Sequence, residues 1–244
     1  ALLTLYFAHT IDCAVNLFEE MRLHEKAKEW EALAKEIKVG VYVNCWDENE
    51  QLFRDYPDQK IFSQHTNLMA ILCDLIPLAE QKEMLIRILT FENFEEMASS
   101  YFSFFLFKAM QKTGQEDLFI ENLDFWEYFV DYGHTTCGET GFASHDRSDC
   151  HAWSAHPAYY LLSSVCGIKP ADVGFNNVVI TPHPGHLTEI KATMPHPKGR
   201  IQVEYQLKKD KLNARLVLPA GMKGIFEFEG KQFSLKEGIN NINL

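Results

Sequence analysis

Residues 157–182 read PAYYLLSSVCGIKPADVGFNNVVITP, and the secondary structure that the sequence predicts changes inside this stretch. Before Gly167 the residues form a continuous apolar segment that favours a helix. After Pro170 apolar residues alternate with their neighbours, which is typical of a strand with one buried face. We therefore expect a helical region over residues 1–170 and a β-domain over residues 171–244.

The region before this change has the periodicity of paired helices. Its apolar residues recur at three- and four-residue steps, with charged residues between them, which is the pattern of amphipathic helices. One predicted pair covers residues 2–41, a second runs from about Phe62 to Leu89, and a third begins near Phe94 and ends near Val130. Polar segments such as Asn44–Lys60 separate the pairs. The sequence thus predicts successive antiparallel αα-hairpins.

The region after the change predicts a small antiparallel β-sandwich. Apolar residues alternate over residues 201–207, 212–218, 225–228 and 233–235. Residues Lys208–Lys211 have the composition of a short hairpin loop, and glycines recur at the other predicted turns. Several short alternating segments separated by turns are typical of a sandwich.

Charge and composition exclude several classes of function. The formal net charge of −11 argues against nucleic-acid binding, which needs basic patches that neutralise phosphates. The longest strongly apolar run, near Tyr101–Phe107, is far shorter than the ~18 residues that a membrane span needs. The six cysteines form no CxxC pair, and we expect mostly free thiols. Nucleotide-binding motifs are absent and Cys150–His151 fits no zinc spacing, so we expect no cofactor and no metal.

A long polar loop, residues 133–157, carries the candidate chemistry. Its sequence is GHTTCGETGFASHDRSDCHAWSAHP, and polar loops longer than about 12–15 residues in a compact domain are usually functional or disordered. Glu139 offers a carboxylate for proton transfer, His151 offers hydrogen bonds to hydroxyl groups, and Trp153 offers an aromatic face. These three residue types on one loop favour an interaction with sugars.

The loop motifs resemble a known family. Gly133–Glu139 (GHTTCGE) is similar to a G-x-T-T-x-x-E motif, and Cys150–Ala155 (CHAWSA) is similar to a C-H-x-W-S-A motif. Phe62–His65 (FSQH) resembles the start of a helix in the same family, and Gly167–Pro170 follows at the expected place. By these stretches the chain resembles the C-terminal part of glycoside hydrolase family 78, the α-L-rhamnosidases.

The resemblance implies a fold, a reaction and roles for the site residues. It implies that residues 1–170 are part of an (α/α)6 barrel, three of its six hairpins, followed by the C-terminal β-sandwich. Glu139 takes the place of the general base in an inverting hydrolysis of terminal α-L-rhamnosyl residues. His151 matches a histidine that hydrogen-bonds the sugar, and Trp153 either lines the same pocket or packs beneath it.

The same resemblance places the general acid in the N-terminal half of the barrel. The chain begins at Ala1 without Met and is helix-like from Leu2, so we expect a fragment of a longer protein. On this interpretation the isolated chain is inactive. Its expected partners are a rhamnose-containing glycoside or polysaccharide and either the remainder of the barrel or another copy of the chain.

Alternative roles remain open for each site residue. Glu139 could instead cap a helix or pair with Arg147, and Asp146 or Asp149 could be the second carboxylate of a catalytic pair. His151 could be a residue at a helix N-terminus that is satisfied by the backbone, and Trp153 could be a core residue.

Alternatives also remain for two other positions and for the function as a whole. His65 precedes an apolar helix and is interpreted as structural. The Trp46–Asp47 pair could reach the cleft or simply anchor its loop. Another inverting (α/α)6 glycosidase or a phosphorylase is the competing enzyme, and a carbohydrate-binding relative without catalysis is the competing non-enzyme.

Overall fold

Two compact units make up the chain. The computed structural model describes residues 1–91, 94–95, 97, 99–140, 148–208 and 211–244. The first unit comprises Ala1–Gln115 and Glu139–Ser148, and the second comprises Glu116–Gly138 and Asp149–Leu244. The units interleave along the sequence, since the loop of residues 133–157 contributes to both.

The first unit is built mainly from helices. They are α1 (Leu2–Glu20), α2 (His24–Cys45), α3 (Gln64–Leu72), α4 (Leu78–Thr90) and α5 (Ser103–Thr113). Helices α1 and α2 pack against each other, α3 packs against α1, α4 and α5, and the two-residue strands β1 (Trp46–Asp47) and β2 (Leu52–Phe53) form a small antiparallel hairpin. The predicted helical region is therefore confirmed.

Local sequence explains where these helices begin and end. Ser63 caps α3, because its side chain accepts a hydrogen bond of 3.1 Å from the backbone N–H of Thr66. Residues Thr66–Leu72 of this helix are all buried, as expected of a helix that is apolar on most sides. Helix α5 ends at Gly114, which adopts a left-handed conformation with φ of 68°.

The predicted start of the third helical pair is wrong. Helix α5 begins at Ser103 and not near Phe94, because the described backbone before it bonds elsewhere. The N–H of Glu95 donates to the carbonyl of Phe62 at 3.0 Å, and its carbonyl accepts from the N–H of Gln64 at 3.2 Å. These bonds hold the segment against the start of α3, so its apolar residues are used outside a helix.

The second unit starts with short helical segments. Two single turns of 3-10 helix, Glu116–Leu118 and Ile120–Asn122, precede α6 (Asp124–Asp131), where the sequence predicts the second helix of the third pair. After the loop come a 3-10 segment (Ala152–Ala155), α7 (Pro157–Tyr160) and a π-helical turn (Leu161–Val165).

Two four-stranded sheets form the rest of this unit. The strands are β3 (Ile168–Pro170), β4 (Val178–Ile180), β5 (Glu189–His196), β6 (Gly199–Lys208), β7 (Lys211–Leu218), β8 (Gly224–Phe228), β9 (Lys231–Leu235) and β10 (Gly238–Asn243). One sheet has the order β10-β7-β6-β5 and the other β3-β4-β8-β9. Buried residues such as Val203, Leu216 and Phe226 alternate with more exposed ones along β6, β7 and β8, which confirms the predicted β-domain.

One pairing differs from the predicted antiparallel pattern. Strands β4 and β8 are parallel, with Val178 opposite Gly224. A Cβ atom on Gly224 would overlap the carbonyl oxygen of Val178, so glycine is what permits this close approach. A second required glycine is Gly167, which has φ of 74° and whose added Cβ would overlap the backbone carbonyl of Thr181.

The helices in the described part of the chain are too short or too polar to cross a membrane.

Candidate active site

Three hydrogen bonds pin the two arms of the loop together within the second unit. The hydroxyl of Thr136 donates to the carbonyl of Asp149 at 2.6 Å, and the N–H of His151 donates to the carbonyl of Cys137 at 2.8 Å. The hydroxyl of Ser154 donates to the carbonyl of Gly138. The two motifs that the sequence singled out therefore lie side by side at the base of the loop.

Glu139 is anchored at both its backbone and its side chain. Its N–H donates to the carbonyl of Ser148 at 2.8 Å, and its Oε2 accepts from the N–H of Ser148 at 3.4 Å. The side chain is half-buried, whereas Ser148 is exposed. A carboxylate that is oriented by a backbone donor and still reached by solvent can accept a proton from a water molecule.

His151 and Trp153 form one surface in the second unit. Their ring centroids are 4.0 Å apart with an angle of 45° between the planes. His151 stands at the start of the 3-10 segment Ala152–Ala155 with extended backbone, and Trp153 is 38% exposed. The pair combines ring nitrogens that can hydrogen-bond a hydroxyl with an indole face that is partly accessible.

The three predicted site residues are divided between the two units. His151 and Trp153 are in contact within the second unit, and Glu139 belongs to the first. Of the alternative carboxylates, Asp149 is exposed and its carbonyl takes the hydrogen bond from Thr136. Asp146 lies outside the described residues, as does Arg147, the predicted alternative partner of Glu139.

Helix α6 supplies supporting residues that the sequence motifs do not include. The indole N–H of Trp126 donates to the carbonyl of Ser154 at 2.7 Å, and its ring meets that of His156 edge-on at 5.0 Å. The ring of Phe129 lies against Gly138. The high density of aromatic residues in α6 is the sequence feature that favours such a role.

His65 contacts an aromatic residue in the first unit. Its ring meets Phe102 edge-on with a centroid distance of 4.5 Å, and burial lowers its pKa. A histidine that is neutral and packed in this way fits the structural interpretation. The neighbouring Ser63 and Thr66 hydroxyls both donate to Asp55, which fixes the start of α3.

The Trp46–Asp47 segment is held by its own neighbours. Trp46 is half-buried, packs on Phe53 at 4.8 Å and stacks on Tyr42 at 5.8 Å. One carboxylate oxygen of Asp47 accepts hydrogen bonds from the N–H groups of Asn49 and Glu50. These contacts favour the interpretation of the segment as an anchored loop.

One group of side chains in the described residues has donors close enough to hold a metal ion. The ligand atoms of His9, Asp12 and Cys73 lie within 4.8 Å of one another. Lys38 pairs with Asp12 at 2.7 Å, and the ammonium of Lys108 is 3.2 Å from His9. The two ammonium groups already contact the carboxylate and the imidazole that would bind the metal. Their positive charge therefore opposes the binding of a cation.

Comparison with known families gives two matches that together cover most of the chain. Residues 2–165 match the family model described as the bacterial alpha-L-rhamnosidase 6 hairpin glycosidase domain. Residues 167–231 match the bacterial alpha-L-rhamnosidase C-terminal domain. The two matches meet at the change of periodicity that the sequence indicates.

Individual relatives carry the same description. An alpha-L-rhamnosidase of Formosa agariphila is 24% identical over 88% of this chain and 25% of its own length. A family 78 rhamnosidase of Bacillus sp. GL1 has a TM-score of 0.83 and 26% identity over 91% of this chain. An alpha-L-rhamnosidase of Streptomyces avermitilis, solved with L-rhamnose, has a TM-score of 0.77 at 19% identity over 99% of this chain. The chain spans about a quarter of the length of these relatives, 25% and 26% for the two structures.

Proposed function

Because the chain belongs to the family of bacterial α-L-rhamnosidase six-hairpin glycosidase domains, we propose that it supplies one half of an inverting α-L-rhamnosidase active site. The observation that carries the proposal is the anchored, half-buried carboxylate of Glu139, which accepts from the N–H of Ser148. Its substrate is a terminal α-L-rhamnosyl group of a glycoside or polysaccharide.

Glu139 acts as the general base. It removes a proton from a water molecule as the water oxygen attacks the anomeric carbon, and a carboxylic acid on the opposite side protonates the departing oxygen. In inverting enzymes the two carboxyl groups stand about 6.5–9.5 Å apart, which leaves room for that water. The backbone N–H of Ser148, 3.4 Å from Oε2, favours one orientation of the carboxylate before the substrate arrives.

His151 and Trp153 bind the sugar. The imidazole hydrogen-bonds a ring hydroxyl, and the partly exposed indole covers an apolar face of the rhamnose. The ring contact of 4.0 Å between them supports this role, because it fixes the imidazole against a rigid neighbour. Orientation of the reacting sugar by such groups lowers the entropy cost of reaching the transition state.

The general acid lies outside this chain in the proposed enzyme. The chain spans about a quarter of its relatives, 25% for the Formosa agariphila enzyme, and we infer that it corresponds to three hairpins of the barrel plus the β-sandwich, divided at residues 170 and 171. Leu3, Phe7 and Leu17 on α1 are 81%, 51% and 58% exposed, which favours a covering partner. That partner is the rest of the barrel or a second copy of the chain.

The test is turnover of aryl glycosides by the longest protein that contains this chain, by its Glu139→Gln and Glu139→Ala variants, and by the chain alone. We expect hydrolysis of the α-L-rhamnoside by the parent protein only, with the β-anomer of rhamnose as the first product detected by NMR. Loss of a general base should lower kcat by about 10²–10⁴-fold. Azide, a nucleophile that needs no deprotonation, should restore turnover of Glu139→Ala.

Other outcomes select the competing functions. Turnover that requires phosphate would identify a phosphorylase, and cleavage of a different aryl glycoside would identify another inverting glycosidase. Sugar binding without turnover in the parent protein, unchanged in Glu139→Gln, would identify a carbohydrate-binding relative. First release of the α-anomer would contradict the role of Glu139 as the base of an inverting reaction.

A further inference from the structure

A cleft lies entirely within the second unit, and none of the three proposed site residues lines it. It has a volume of about 860 Å³ and is open to solvent. Asp117, Glu121, His183 and His186 line it together with Phe228 and Leu207. This volume falls within the range of small-molecule pockets, about 300–1,000 Å³.

Hydrogen bonds and prolines hold one wall of the cleft in a fixed shape. The N–H of Gly185 donates to Oδ1 of Asp117 at 3.2 Å, and Nδ1 of His183 is 3.5 Å from Oδ2 of the same carboxylate. Pro182 and Pro184 flank the histidine, and proline restricts the backbone on either side of it. The wall is therefore formed before any ligand arrives.

Glu116 lies behind this wall, and one of its carboxylate oxygens accepts no hydrogen bond from the described residues. The residue is only 4% exposed, and its Oε1 accepts a hydrogen bond of 3.0 Å from Lys169 and lies 3.7 Å from Nε2 of His183. Its Oε2 is buried and has no hydrogen-bond partner in the described part of the chain. A buried carboxylate oxygen without a described donor is a position that an ordered water molecule typically satisfies, next to the wall of the cleft.

The charges in the cleft restrict the ligand. Glu227 and Glu229 add to the carboxylates of Asp117 and Glu121, and no lysine or arginine is among the described lining residues. A phosphate, sulfate or uronic acid would be repelled. Among the described residues of the cleft, no three carboxylate or imidazole side chains place their ligand atoms close enough together to bind a metal ion.

We propose that this cleft binds a neutral saccharide, as a carbohydrate site additional to the proposed catalytic loop. Carboxylates accept hydrogen bonds from hydroxyl groups, and imidazoles can accept or donate them. The half-buried ring of Phe228 offers an apolar surface for the C–H face of a sugar. The choice of a sugar rests on the proposed function, but its binding does not require catalysis.

The test is a titration of the full chain with a neutral trisaccharide of α-linked L-rhamnose, followed by saturation-transfer NMR in the presence of EDTA. We expect millimolar affinity. The variants Phe228→Ala and His186→Ala should each weaken binding about 5-fold or more, the loss of one stacked ring or one hydrogen-bonding group. Ile225→Ala and Glu189→Gln are matched controls outside the cleft, and we expect no change in them.

A His151→Ala variant separates this proposal from the proposed function. Retained binding in that variant supports a second site even if the parent protein turns over no glycoside. Loss of binding in His151→Ala, loss in EDTA, equal binding by Phe228→Ala and the original chain, or no binding at about 50 mM, far weaker than a specific site gives, would each overturn it.

Discussion

The ring of Phe129 lies against Gly138 so closely that a Cβ atom at position 138 would stand 3.0 Å from its Cε1. Gly138 directly precedes the proposed base, and its carbonyl accepts a hydrogen bond from Ser154. The backbone next to Glu139 is thus packed between α6 and the 3-10 segment that follows His151, and a side chain at position 138 would require the Phe129 ring to move by a few tenths of an ångström.

Gly138→Ala should therefore disturb the site. The new methyl group displaces the Phe129 ring, and overpacking of this kind costs about 1–3 kcal/mol. We expect unfolding at a lower midpoint concentration of urea, and a lower kcat in the parent protein. Gly40→Ala is the matched control, because Gly40 is exposed in α2 and a Cβ atom added there would meet nothing within 4 Å. It should stabilise the chain by about 0.5–1 kcal/mol.

A compensating change checks the cause. Phe129→Leu in the Gly138→Ala background frees space at the contact, so part of the lost kcat should return. If Gly138→Ala alone leaves both the midpoint and kcat unchanged, the contact with Phe129 does not constrain the loop.

Trp153→Ala should weaken substrate binding more than it slows the chemical step. The indole contributes an aromatic surface worth about 0.5–1.5 kcal/mol, so we expect KM to rise by roughly 2–12-fold with a smaller change in kcat. Trp153→Phe keeps a ring against His151 and should recover most of the affinity. Tyr132→Ala, which removes a ring that is 71% exposed, is the control. A kcat that falls while KM stays constant would argue against a role in substrate binding.

Lys169→Met should destabilise the chain strongly. Its ammonium is the hydrogen-bond donor to the buried Glu116, at 3.0 Å, and removing one partner of a buried ion pair costs about 3–5 kcal/mol. The free energy of unfolding from urea titration measures the loss. Replacing both partners, Glu116→Leu with Lys169→Met, should be far less harmful, since no buried charge is left alone.

The exposed pair of Lys28 and Glu25 is the control for this prediction. Their side chains are 70% and 92% exposed, and such pairs contribute about 0–1 kcal/mol. Lys28→Met should therefore change stability little. Equal effects of Lys28→Met and Lys169→Met would show that burial of Glu116 does not decide the outcome.

Asp117 should contribute stability that depends on pH. The hydrogen bond from His183 lowers the pKa of this carboxyl, helped by the N–H of Gly185. A lowered pKa in the folded state means that the contribution is complete above the unfolded-state pKa of about 3.9 and is lost as pH falls below it. Because the side chain is 62% exposed, we expect only about 0.5 kcal/mol.

Urea unfolding at pH 6 and at pH 2.5 measures this contribution. Asp117→Asn should be less stable than the original chain at pH 6 and equally stable at pH 2.5. Asp58→Asn, at an exposed position, should show no difference at either pH. A deficit of Asp117→Asn that persists at pH 2.5 would assign the effect to packing and not to charge.

The sequence was sufficient for the order of the helical and β regions because periodicity reports which faces are buried. It was insufficient where backbone bonding overrides pattern, as at Glu95, whose bonds to Phe62 and Gln64 keep apolar residues out of a helix. Strand β5 was missed because only Ile190 of its eight residues is buried, which leaves little alternation to detect. The parallel pairing of β4 with β8 depends on contacts distant in sequence.

The roles assigned to the candidate site residues stay predictions. Motifs on one loop led to the prediction of Glu139, His151 and Trp153, since chemically distinctive residues stand out in a polar segment. The contact between Phe129 and Gly138 could not be predicted, because it joins an ordinary aromatic position of α6 to a glycine nine residues later. The unpartnered oxygen of Glu116 likewise becomes visible only when burial is known.

The set of segments that make up the second unit has a consequence for recombination between related proteins. Residues Glu116–Gly138 group with the sheets and not with α1–α5, so this unit is discontinuous along the chain. A crossover at residue 170 lies just after the junction of the two family matches. It would separate two parts of the second unit from the sheets of that unit, namely α6 and the 3-10 segment that accepts the hydrogen bond of Trp126. An exchange that begins near residue 116 keeps these parts with their sheets and separates only the short segment Glu139–Ser148 from its own unit. Chimeras joined there should therefore express as folded protein more often than chimeras joined at 170.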